Sequence, residues 1–399
     1  MITTINNKHK KLNVPNLRFP EFQGEWEKMR LDAFTERVMR KNKSNQSRLP
    51  LTISAQYGLV DQITFFNKVV ASTDLSNYYL LKKGEFAYNK SYSSDYPWGA
   101  IKRLDNYDQG ALSSLYICFA PQDNVVSDFI LQYFESPKWH KGISEIAVEG
   151  ARNHGLLNVA VQDFFHTYHY VPKDKKEQIK ISKLLMLLDE RISTQNKIIE
   201  DLKKLKSAII EKLYSEIQGK EYSYRQLFEI INERNNRLEF SNVLSASQER
   251  GMVSREDLNL DIKFERSNIN TYKIVRNGDY VIHLRSFQGG FAFSDIVGVC
   301  SPAYTIMRPK DLLEYGYLSY YFTSRQFIKS LVIVTYGIRD GRSINVDEWF
   351  DMKIVIPTKE QQRHIVRTIK VFENKIENEE MYASCLLKQK QHLLRQMFI

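Results

Sequence analysis

The chain has few cysteines and no long apolar run, and both absences exclude classes of protein. Cys118, Cys300 and Cys385 are odd in number and far apart, which fits neither a disulfide framework nor a CxxC metal or redox motif. The N-terminal residues contain no apolar segment typical of a secretion signal, and the longest apolar runs, such as 331–334, are far shorter than a membrane span. We therefore expect a cytoplasmic protein with reduced, buried cysteines and no membrane partner.

The sequence also lacks the motifs that mark common catalytic sites. It contains no GxxxxGK[ST] phosphate loop, no Gly-rich dinucleotide fingerprint after a strand and no Asn-Pro-Pro-aromatic stretch. Acid-x-Lys triplets of the nuclease type occur at 201–203 and 373–375, but both lie on predicted helices, where such charges normally solvate the outer face. We predict no catalytic residue, no metal site and no bound cofactor on this chain.

The composition has none of the biases of fibrous or disordered chains. Hydrophobic residues make up 43% of the 399 residues and charged residues 26%, which are ordinary proportions for globular domains. A chain of this length holds two to three domains. The formal net charge of +10, together with 23 Tyr and 22 Phe, permits a polyanionic partner, because cations bind phosphate and aromatic faces stack on bases.

An internal repeat spans nearly the whole sequence. The matching segments are, in order, 51–60 with 243–253, 79–86 with 272–280, and 110–116 with 298–304. The offset between the copies falls from 194 at Gly84 and Gly278 to 185 at Pro172 and Pro357. An unbroken order with a drifting offset indicates duplication of one unit with small insertions. Six inserted residues fall between Gly84 and Gly110, where the copies differ most.

Each copy is predicted to be a mixed, β-rich globule. Strands are predicted over 86–89 and 280–284, helices over 128–136 and 317–324, and a hairpin turn at Gly289-Gly290. The last strand of each copy ends at Pro172 or Pro357, and a helix should begin just beyond it. Tyr116 and Tyr304 fall in predicted strands, and we interpret them as core residues rather than base-stacking surfaces.

A heptad pattern follows each of those prolines. The apolar seam positions are Ile181, Leu185, Leu188, Ile192, Ile199, Leu202, Ile209 and Leu213 in the first copy, and Ile365, Ile369, Phe372, Ile376, Leu386, Leu393 and Met397 in the second. Polar residues interrupt both seams at equivalent places, Gln195 with Glu379 and Lys206 with Lys390, 184 positions apart. We interpret them as residues that fix the register. Each helix should have about 40 residues and a length of roughly 60 Å, too long to be buried in one small globule.

The predicted fold class is α+β: two tandem, similar, mixed α/β domains separated by two long antiparallel coiled-coil helices, with an approximate two-fold axis. The predicted boundaries are 1–172 for the N-terminal segment and first domain, 173–218 for the first long helix, 219–357 for the second domain and 358–399 for the second long helix. Two domains held at a fixed distance by stiff helices could bind the same face of B-DNA, where binding positions repeat about every 34 Å. Because the copies differ, each should read its own sequence, and the combined site should be split and asymmetric.

Polar side chains that pair with bases and phosphates cluster in equivalent loops of the two copies. The DNA-binding candidates are Asn89, Lys90, Ser91, Tyr92, Arg152, Asn153 and His154 in the first copy, and His283, Arg285, Ser286, Gln288, Arg339, Arg342 and Asn345 in the second. Arg152 and Arg339 hold equivalent places, which favours a shared phosphate contact. Asn158 and Asn345 are better interpreted as residues that fix a turn. The alternative for every candidate is an ordinary solvated loop.

Several segments of the sequence are typical of one known family. They are 16–26, 87–91, 298–304, and the Pro-x-x-x-x-Glu-Gln motif at 172–178, which the second copy shortens to 357–361. On this ordered set and the two matched helices, nearly the whole chain resembles the DNA specificity subunits of type I restriction-modification systems.

That resemblance implies two target recognition domains, each contacting half of a bipartite DNA site, with the helices acting as a ruler between them. It also implies double-stranded DNA as a partner, two adenine-N6 methyltransferase subunits that use S-adenosylmethionine, and motor-nuclease restriction subunits that use ATP and Mg. Those cofactors would belong to the partners. Two alternatives remain open: a coiled-coil scaffold whose globules bind protein, and an enzyme that acts on DNA unaided.

Overall fold

The computed structural model describes residues 12–68, 70–147, 155–247, 250–258, 266–283, 290–336 and 343–399. The chain divides into two compact units. Unit 1 comprises residues 1–195 and 382–399, and unit 2 comprises residues 196–381. Each of the two long helices therefore contributes one part to each unit.

In the part that the structure describes, the first copy of the repeat has ten short strands and four short helices, and it leads into the first long helix. Its elements are β1 Glu27–Arg30, β2 Thr35–Arg37, β3 Pro50–Ser54, β4 Gly58–Asp61, α1 Gln62–Phe66, β5 Tyr79–Lys82, β6 Phe86–Asn89, β7 Ala100–Arg103, β8 Gln109–Leu112, β9 Ile117–Pro121, α2 Ser127–Glu135, α3 His140–Ile146, α4 Val161–His166, β10 Tyr168–Val171 and the long α5 Lys175–Ser215.

The second copy follows the same plan and ends in the second long helix. Its elements are β11 Lys220–Ser223, α6 Tyr224–Leu227, β12 Phe228–Ile231, β13 Leu244–Ser247, β14 Gly251–Ser254, β15 Lys273–Val275, β16 Tyr280–Ile282, β17 Phe291–Phe293, β18 Gly298–Cys300, β19 Thr305–Pro309, α7 Tyr317–Tyr321, α8 Arg325–Ser330, β20 Thr335–Tyr336, β21 Ser343–Ile344, α9 Val346–Asp351, β22 Lys353–Ile356 and the long α10 Lys359–Gln396. Short 3-10 turns lie at Leu31–Ala33, Lys43–Asn45, Pro137–Trp139, Arg255–Leu258, Arg266–Thr271 and Leu331–Val334.

The sheets of the two copies have the same strand order. The sheet β2-β9-β6-β7 is repeated as β12-β19-β16-β17, and the pair β1-β10 is repeated as β11-β22. The sheet β4-β3-β8-β5 returns as the pairs β13-β14 and β15-β18. A parallel bridge from Val243 to Val299 joins those two pairs where β3 and β8 run parallel in the first copy. The duplication and the mixed α+β fold class predicted from the sequence are confirmed.

Strand register shows where the six extra residues of the first copy lie. Phe86 pairs with Arg103 in the β6-β7 hairpin, and Tyr280 pairs with Phe293 in the equivalent β16-β17 hairpin. In the first copy, residues 90–99 therefore separate Asn89 from β7. In the second copy, only residues 284–289 separate His283 from Gly290, which pairs with it. Four of the six extra residues belong to this connection.

Aromatic side chains dominate the core of each unit. In unit 1 the ring of Phe86 stacks on that of Phe119 with centroids 5.4 Å apart. In unit 2 Tyr224 stacks on Trp349 at 4.1 Å. Such rings bury large apolar areas, and each stacked pair adds about 0.5–1.5 kcal/mol beyond its area. The first pair joins the neighbouring strands β6 and β9, and the second joins the helices α6 and α9.

The ten seam positions named for the first long helix and the nine named for the second are all buried or half-buried, including the polar ones. Ile181 and Leu185 belong to the core of unit 1, and Ile365 and Ile369 belong to the core of unit 2. The helices have 41 and 38 residues, close to the predicted 40. Ion pairs between the helices, Asp189–Lys390 in unit 1 and Lys206–Glu373 in unit 2, show that they run antiparallel.

The first turns of the long helices correct one detail of the sequence alignment. Gln178 is buried, and its equivalent is Gln362, which is equally buried, rather than Gln361 as the shortened motif indicated. The side chain of Gln361 is exposed, and its Oε1 accepts a hydrogen bond from the backbone N of Thr358. The second copy has one residue fewer between its proline and the buried glutamine, so sequence spacing alone misplaced the motif.

None of the helices in the described residues combines the length and the apolarity that a membrane crossing requires.

Candidate nucleic-acid interface

The first predicted cluster of unit 1 lies at the end of β6 and contacts residues 155 and 156. Oδ1 of Asn89 accepts a hydrogen bond from the backbone N of Ser91 at 3.0 Å. Ser91 forms a β-bridge with Leu156, and the backbone N of Tyr92 donates to the carbonyl of Gly155 at 3.0 Å. Gly155 directly follows the second cluster, Arg152, Asn153 and His154, which lies outside the described residues. Ser91 and Tyr92 thus lie against residues 155 and 156 at this edge of the sheet.

The segment 90–99 is fixed at its ends and exposed between them. The hydroxyl of Tyr88 donates to the carbonyl of Trp98 at 2.9 Å. Gly99 has a φ of +76°, and a Cβ there would collide with the carbonyl oxygen of Asn89, so only glycine fits this close approach. Between these anchors Ser91 is exposed and Tyr92 is 48% exposed. This placement offers side chains to a partner without disturbing the core.

Asn89 and Lys90 are half-buried at the base of that segment. The Nζ atom of Lys90 donates to the carbonyl oxygen of Val159 at 3.5 Å, and its own carbonyl accepts from the backbone N of Leu157 at 2.9 Å. These bonds place both side chains at the rim of the exposed segment.

The equivalent edge of unit 2 carries His283. Strand register makes His283 the counterpart of Asn89, because Ile282 and Tyr88 occupy matching places opposite Thr305 and Ile117. The backbone N of His283 donates to the carbonyl of Gly290 at 2.8 Å. The remaining second-copy candidates Arg285, Ser286, Gln288, Arg339 and Arg342 lie outside the described residues.

Asn345 has a structural role that the turn interpretation anticipated. It caps the N-terminus of α9: its Oδ1 accepts from the backbone N of Glu348 at 3.3 Å, and its Nδ2 donates to Oε1 of Glu348 at 2.8 Å. Its place among the DNA-binding candidates rests on the sequence alone.

A hollow of about 150 Å³ in unit 1 adds residues that sequence reasoning missed. Its lining is Arg37, Tyr79, Lys90, Ser114, Leu115, Tyr116, Ile117, Cys118 and Val161. Tyr116 was expected in a strand and in the core. It lies just before β9 rather than in a strand, as Tyr304 lies just before β19. Both rings are half-buried and pack against the core of their domains. Only the pairing of strands brings Arg37 and Lys90 to one hollow, and no spacing in the sequence indicated it.

Burial shifts the pKa of three further titratable groups in the described residues, His169, Cys118 and Cys300. His169 lies between the hydroxyl of Tyr133 and Oγ1 of Thr167, each 2.8 Å from a ring nitrogen, and burial lowers its pKa to about 3. Burial raises the pKa of Cys118 and of Cys300 to about 12, so both remain unreactive thiols at neutral pH. No group of three potential metal ligands occurs in the described part of the chain.

Comparisons with known proteins identify the fold. No protein-family model and no curated protein matches the sequence. A chain from a structure of a type I restriction-modification system, solved for its complex assembly and conformational transition, matches with a TM-score of 0.59 and 14% identity over 94% of this chain and 97% of that one. The type I S subunit from M. genitalium matches with a TM-score of 0.51 and 14% identity over 97% of this chain and 99% of that one.

This chain has the fold of a type I S subunit. The agreement covers both copies of the repeat and both long helices, and it confirms at the level of the fold the resemblance drawn from the sequence. In the S-subunit fold, the ends of β6 and β16 are equivalent edges of equivalent sheets. The candidate side chains Asn89 and His283 therefore occupy corresponding places on a duplicated scaffold.

Proposed function

We propose that this chain is the DNA sequence-specificity subunit of a type I restriction-modification complex, and that its two domains read the halves of a split, asymmetric site. The observation that carries the proposal is the contrast at one edge of the sheet. Asn89 ends β6 and His283 directly follows β16, two strands of identical topology. The segments that come next, 90–99 and 284–289, differ in length and sequence. A constant scaffold with divergent loops is what two readers of different sequences require.

The polar and aromatic side chains of those segments suit contact with duplex DNA. Asn and Arg pair with base edges, while Lys and backbone amides hold phosphates. Tyr92 and Tyr96 expose 48% and 38% of their surfaces in the first segment, and amphipathic rings of this kind contact sugars and bases. The net charge of +10 favours approach to a polyanion.

In the proposal, the length of the long helices sets the distance between the two half-sites. An α-helix rises 1.5 Å per residue, and the part of each helix between its two globular contacts has a fixed number of residues. The spacing between the half-sites should follow that number. Salt-dependent phosphate contacts alone would set no such distance.

Equivalent exposed apolar residues on the long helices support two equivalent protein partners. Leu187 and Val371 are 54% and 66% exposed, and Ile198 and Tyr382 are 41% and 37% exposed. Each pair is 184 residues apart, the offset of the helical repeat. Unit 1 carries Leu187 and Tyr382, and unit 2 carries Ile198 and Val371, so each unit offers one aliphatic and one further apolar side chain at matching places. Such residues mark protein contacts when they recur in a pattern.

In the proposal those partners are two adenine-N6 methyltransferase subunits, joined by motor-nuclease restriction subunits. S-adenosylmethionine, ATP and Mg would be bound by the partners, and this chain would supply recognition without catalysis.

A selection from random duplex DNA tests the proposal. The full chain, purified with its companion methyltransferase, is used to enrich sequences through several rounds. We expect enrichment of one motif with two short, different halves at constant spacing. Enrichment of a palindrome, or of no motif by a complex that retains methyl-transfer activity, would contradict the proposal and favour a protein-binding scaffold.

A further inference from the structure

The hollow on unit 1 combines cations with aromatic walls and contains no carboxylate. Arg37 and Lys90 line it together with Tyr79, Tyr116 and the hydroxyl of Ser114, and none of its nine lining residues is acidic. Two cations facing one concavity attract a single anionic group, because like charges close together are stabilised by a counter-ion between them.

Of the residues that line the hollow, Arg37 is the best suited to bind an anion. It lies at the end of β2, opposite Phe119 of β9, and its side chain is exposed. Within the described residues its guanidinium forms no ion pair and no hydrogen bond. This contrasts with Arg40, whose Nη2 donates to Glu85 at 2.6 Å, and with Arg103, which binds Asp105 and Asp128. A guanidinium presents five donors in a planar fork that matches phosphate oxygens.

The walls of the hollow are fixed by their own contacts. Lys41 forms a β-bridge with Tyr79, and its Nζ lies 4.4 Å from the centroid of that ring. The backbone N of Tyr116 donates to the carbonyl of Ser113 at 3.2 Å, and its hydroxyl lies 3.4 Å from Oγ1 of Thr52. Lys90 is held at the rim by its bond to Val159. The site needs no rearrangement of these groups to receive a ligand.

The second copy does not repeat this chemistry. Ile230 occupies the place of Arg37, because it lies opposite Met307 as Arg37 lies opposite Phe119, and its side chain is 45% exposed. Lys273 occupies the place of Tyr79, and its Nζ donates to the carbonyl of Tyr304 at 2.8 Å. The duplicated scaffold thus carries an exposed cation at this position in one unit and an exposed aliphatic side chain in the other.

We propose that the hollow of Arg37, Lys90, Tyr79 and Tyr116 holds a backbone phosphate of duplex DNA, and that this anchor exists in unit 1 alone. The inference rests on the proposed function, which it deepens: it assigns the phosphate contact that seats the segment 90–99 on its half-site. Lys90 belongs both to the hollow and to that segment, so a phosphate bound here sets the position of the neighbouring side chains. Phosphate contacts position a protein on DNA and carry no base information.

The test measures the salt dependence of binding to a nonspecific duplex by the full chain. Each phosphate contact contributes about 0.9 to the slope of log K against log salt. Arg37→Gln should lower the magnitude of the slope by about 0.9. Over the tenfold range from 1 M to 0.1 M salt this slope change corresponds to roughly eightfold weaker binding at 0.1 M. Arg37→Lys should keep the slope. Ile230→Gln is the matched control, since it alters the equivalent position of the other copy, and it should leave the slope unchanged.

The outcomes separate this inference from the proposed function. An unchanged slope for Arg37→Gln, with binding by the wild-type chain intact, would overturn the phosphate anchor and leave the specificity role standing. Equal slope losses for Arg37→Gln and Ile230→Gln would also overturn it. Absence of any duplex binding by the wild-type chain would overturn both. In a second arm, inorganic phosphate alone is added: a rise in Tm that Arg37→Gln abolishes, with no change in the DNA slope, would assign the hollow to free phosphate and contradict the proposal.

Discussion

The Nζ atom of Lys390 lies 2.5 Å from Oδ1 of Asp189, and this ion pair joins the two long helices in unit 1. The other carboxylate oxygen of Asp189 accepts a hydrogen bond from Nε2 of Gln132 on α2 at 2.9 Å. Unit 2 repeats the arrangement with residues of the opposite helices: Lys206 lies 3.3 Å from Glu373, which also accepts a bond from the hydroxyl of Tyr320 on α7 at 2.8 Å. In each unit one carboxylate therefore links both helices to the globular domain.

Removing one partner of this link should destabilise its own unit. Lys390→Met leaves Asp189 with Gln132 alone, and because Asp189 is 40% exposed we expect a loss of only about 1 kcal/mol in the free energy of unfolding. Urea denaturation measures it. The charge exchange, Asp189→Lys together with Lys390→Asp, should recover part of the lost free energy of unfolding. Direct coupling is ruled out if the double mutant loses as much free energy as its two single mutants lose together.

The buried glutamines of the first helical turns should be more costly to remove. Oε1 of Gln178 accepts from the backbone N of Val126 at 2.7 Å, and its Nε2 donates to the carbonyl of Pro172 at 2.8 Å. Gln178→Ala leaves two buried backbone groups without partners, which costs about 2–3 kcal/mol. Thermal unfolding checks the effect.

Gln362→Ala should have a similar cost, because Gln362 makes the equivalent bonds to Glu314 and Pro357 at 2.8 and 3.1 Å. Gln361→Ala is the control and removes only an exposed capping bond, with a cost under about 1 kcal/mol. Equal losses for Gln361 and Gln362 would show that the buried contacts are not what holds the helix start.

His169 predicts a pH dependence of stability. Burial lowers its pKa from the ordinary 6.5 to about 3, so between these values the unfolded chain binds a proton that the folded chain does not. The stabilisation is complete above pH 6.5 and is lost as the pH falls, by up to about 1.4 kcal/mol per pH unit. Urea denaturation of the wild type and of His169→Gln is measured from pH 7 to pH 5. The wild type should have the higher urea midpoint at pH 7, and the two midpoints should be close to each other at pH 5. Parallel curves would show that His169 does not carry the effect.

The sequence predicted the duplication, the fold class and the heptad helices because these depend on periodic apolar positions and on repeated order. It did not locate Gln362, since one deleted residue shifted the motif without changing its composition. It also missed the hollow around Arg37, because Arg37 and Lys90 are 53 positions apart and are joined only by the pairing of β2 and β6 with β9. Cores follow from local patterns, whereas a surface site depends on which strands become neighbours.

Exchange of residues 90–98, with Gly99 kept, for the equivalent segment of a type I S subunit should change recognition in one half-site only. The two ends of the segment are fixed by Tyr88 and Gly99, so a graft between them preserves the core. The measurement is the motif enriched from random duplexes by the complex. Altered bases in both halves would contradict independent reading by the two units.

Shortening both helices should change the spacing of the DNA site and leave its two half-sequences unchanged. Deleting the heptads 193–199 and 377–383, which are equivalent at the offset of 184, removes roughly 10 Å from each helix. We expect a shorter spacer with both half-sequences unchanged. Deletion of a heptad from one helix alone shifts the register between the two helices. This single deletion is the control, and it should abolish sequence-specific DNA binding. An unchanged spacer in the doubly shortened chain would contradict the ruler.

The most direct test of the central claim is single-molecule mapping of N6-methyladenine in cells with and without this chain, in the presence of the companion methyltransferase. Specific recognition by two different units predicts that deletion removes methylation from exactly one split, asymmetric motif, with both half-sites and the spacer read from the lost positions. An unchanged methylome, with the methyltransferase still active, would contradict the specificity role.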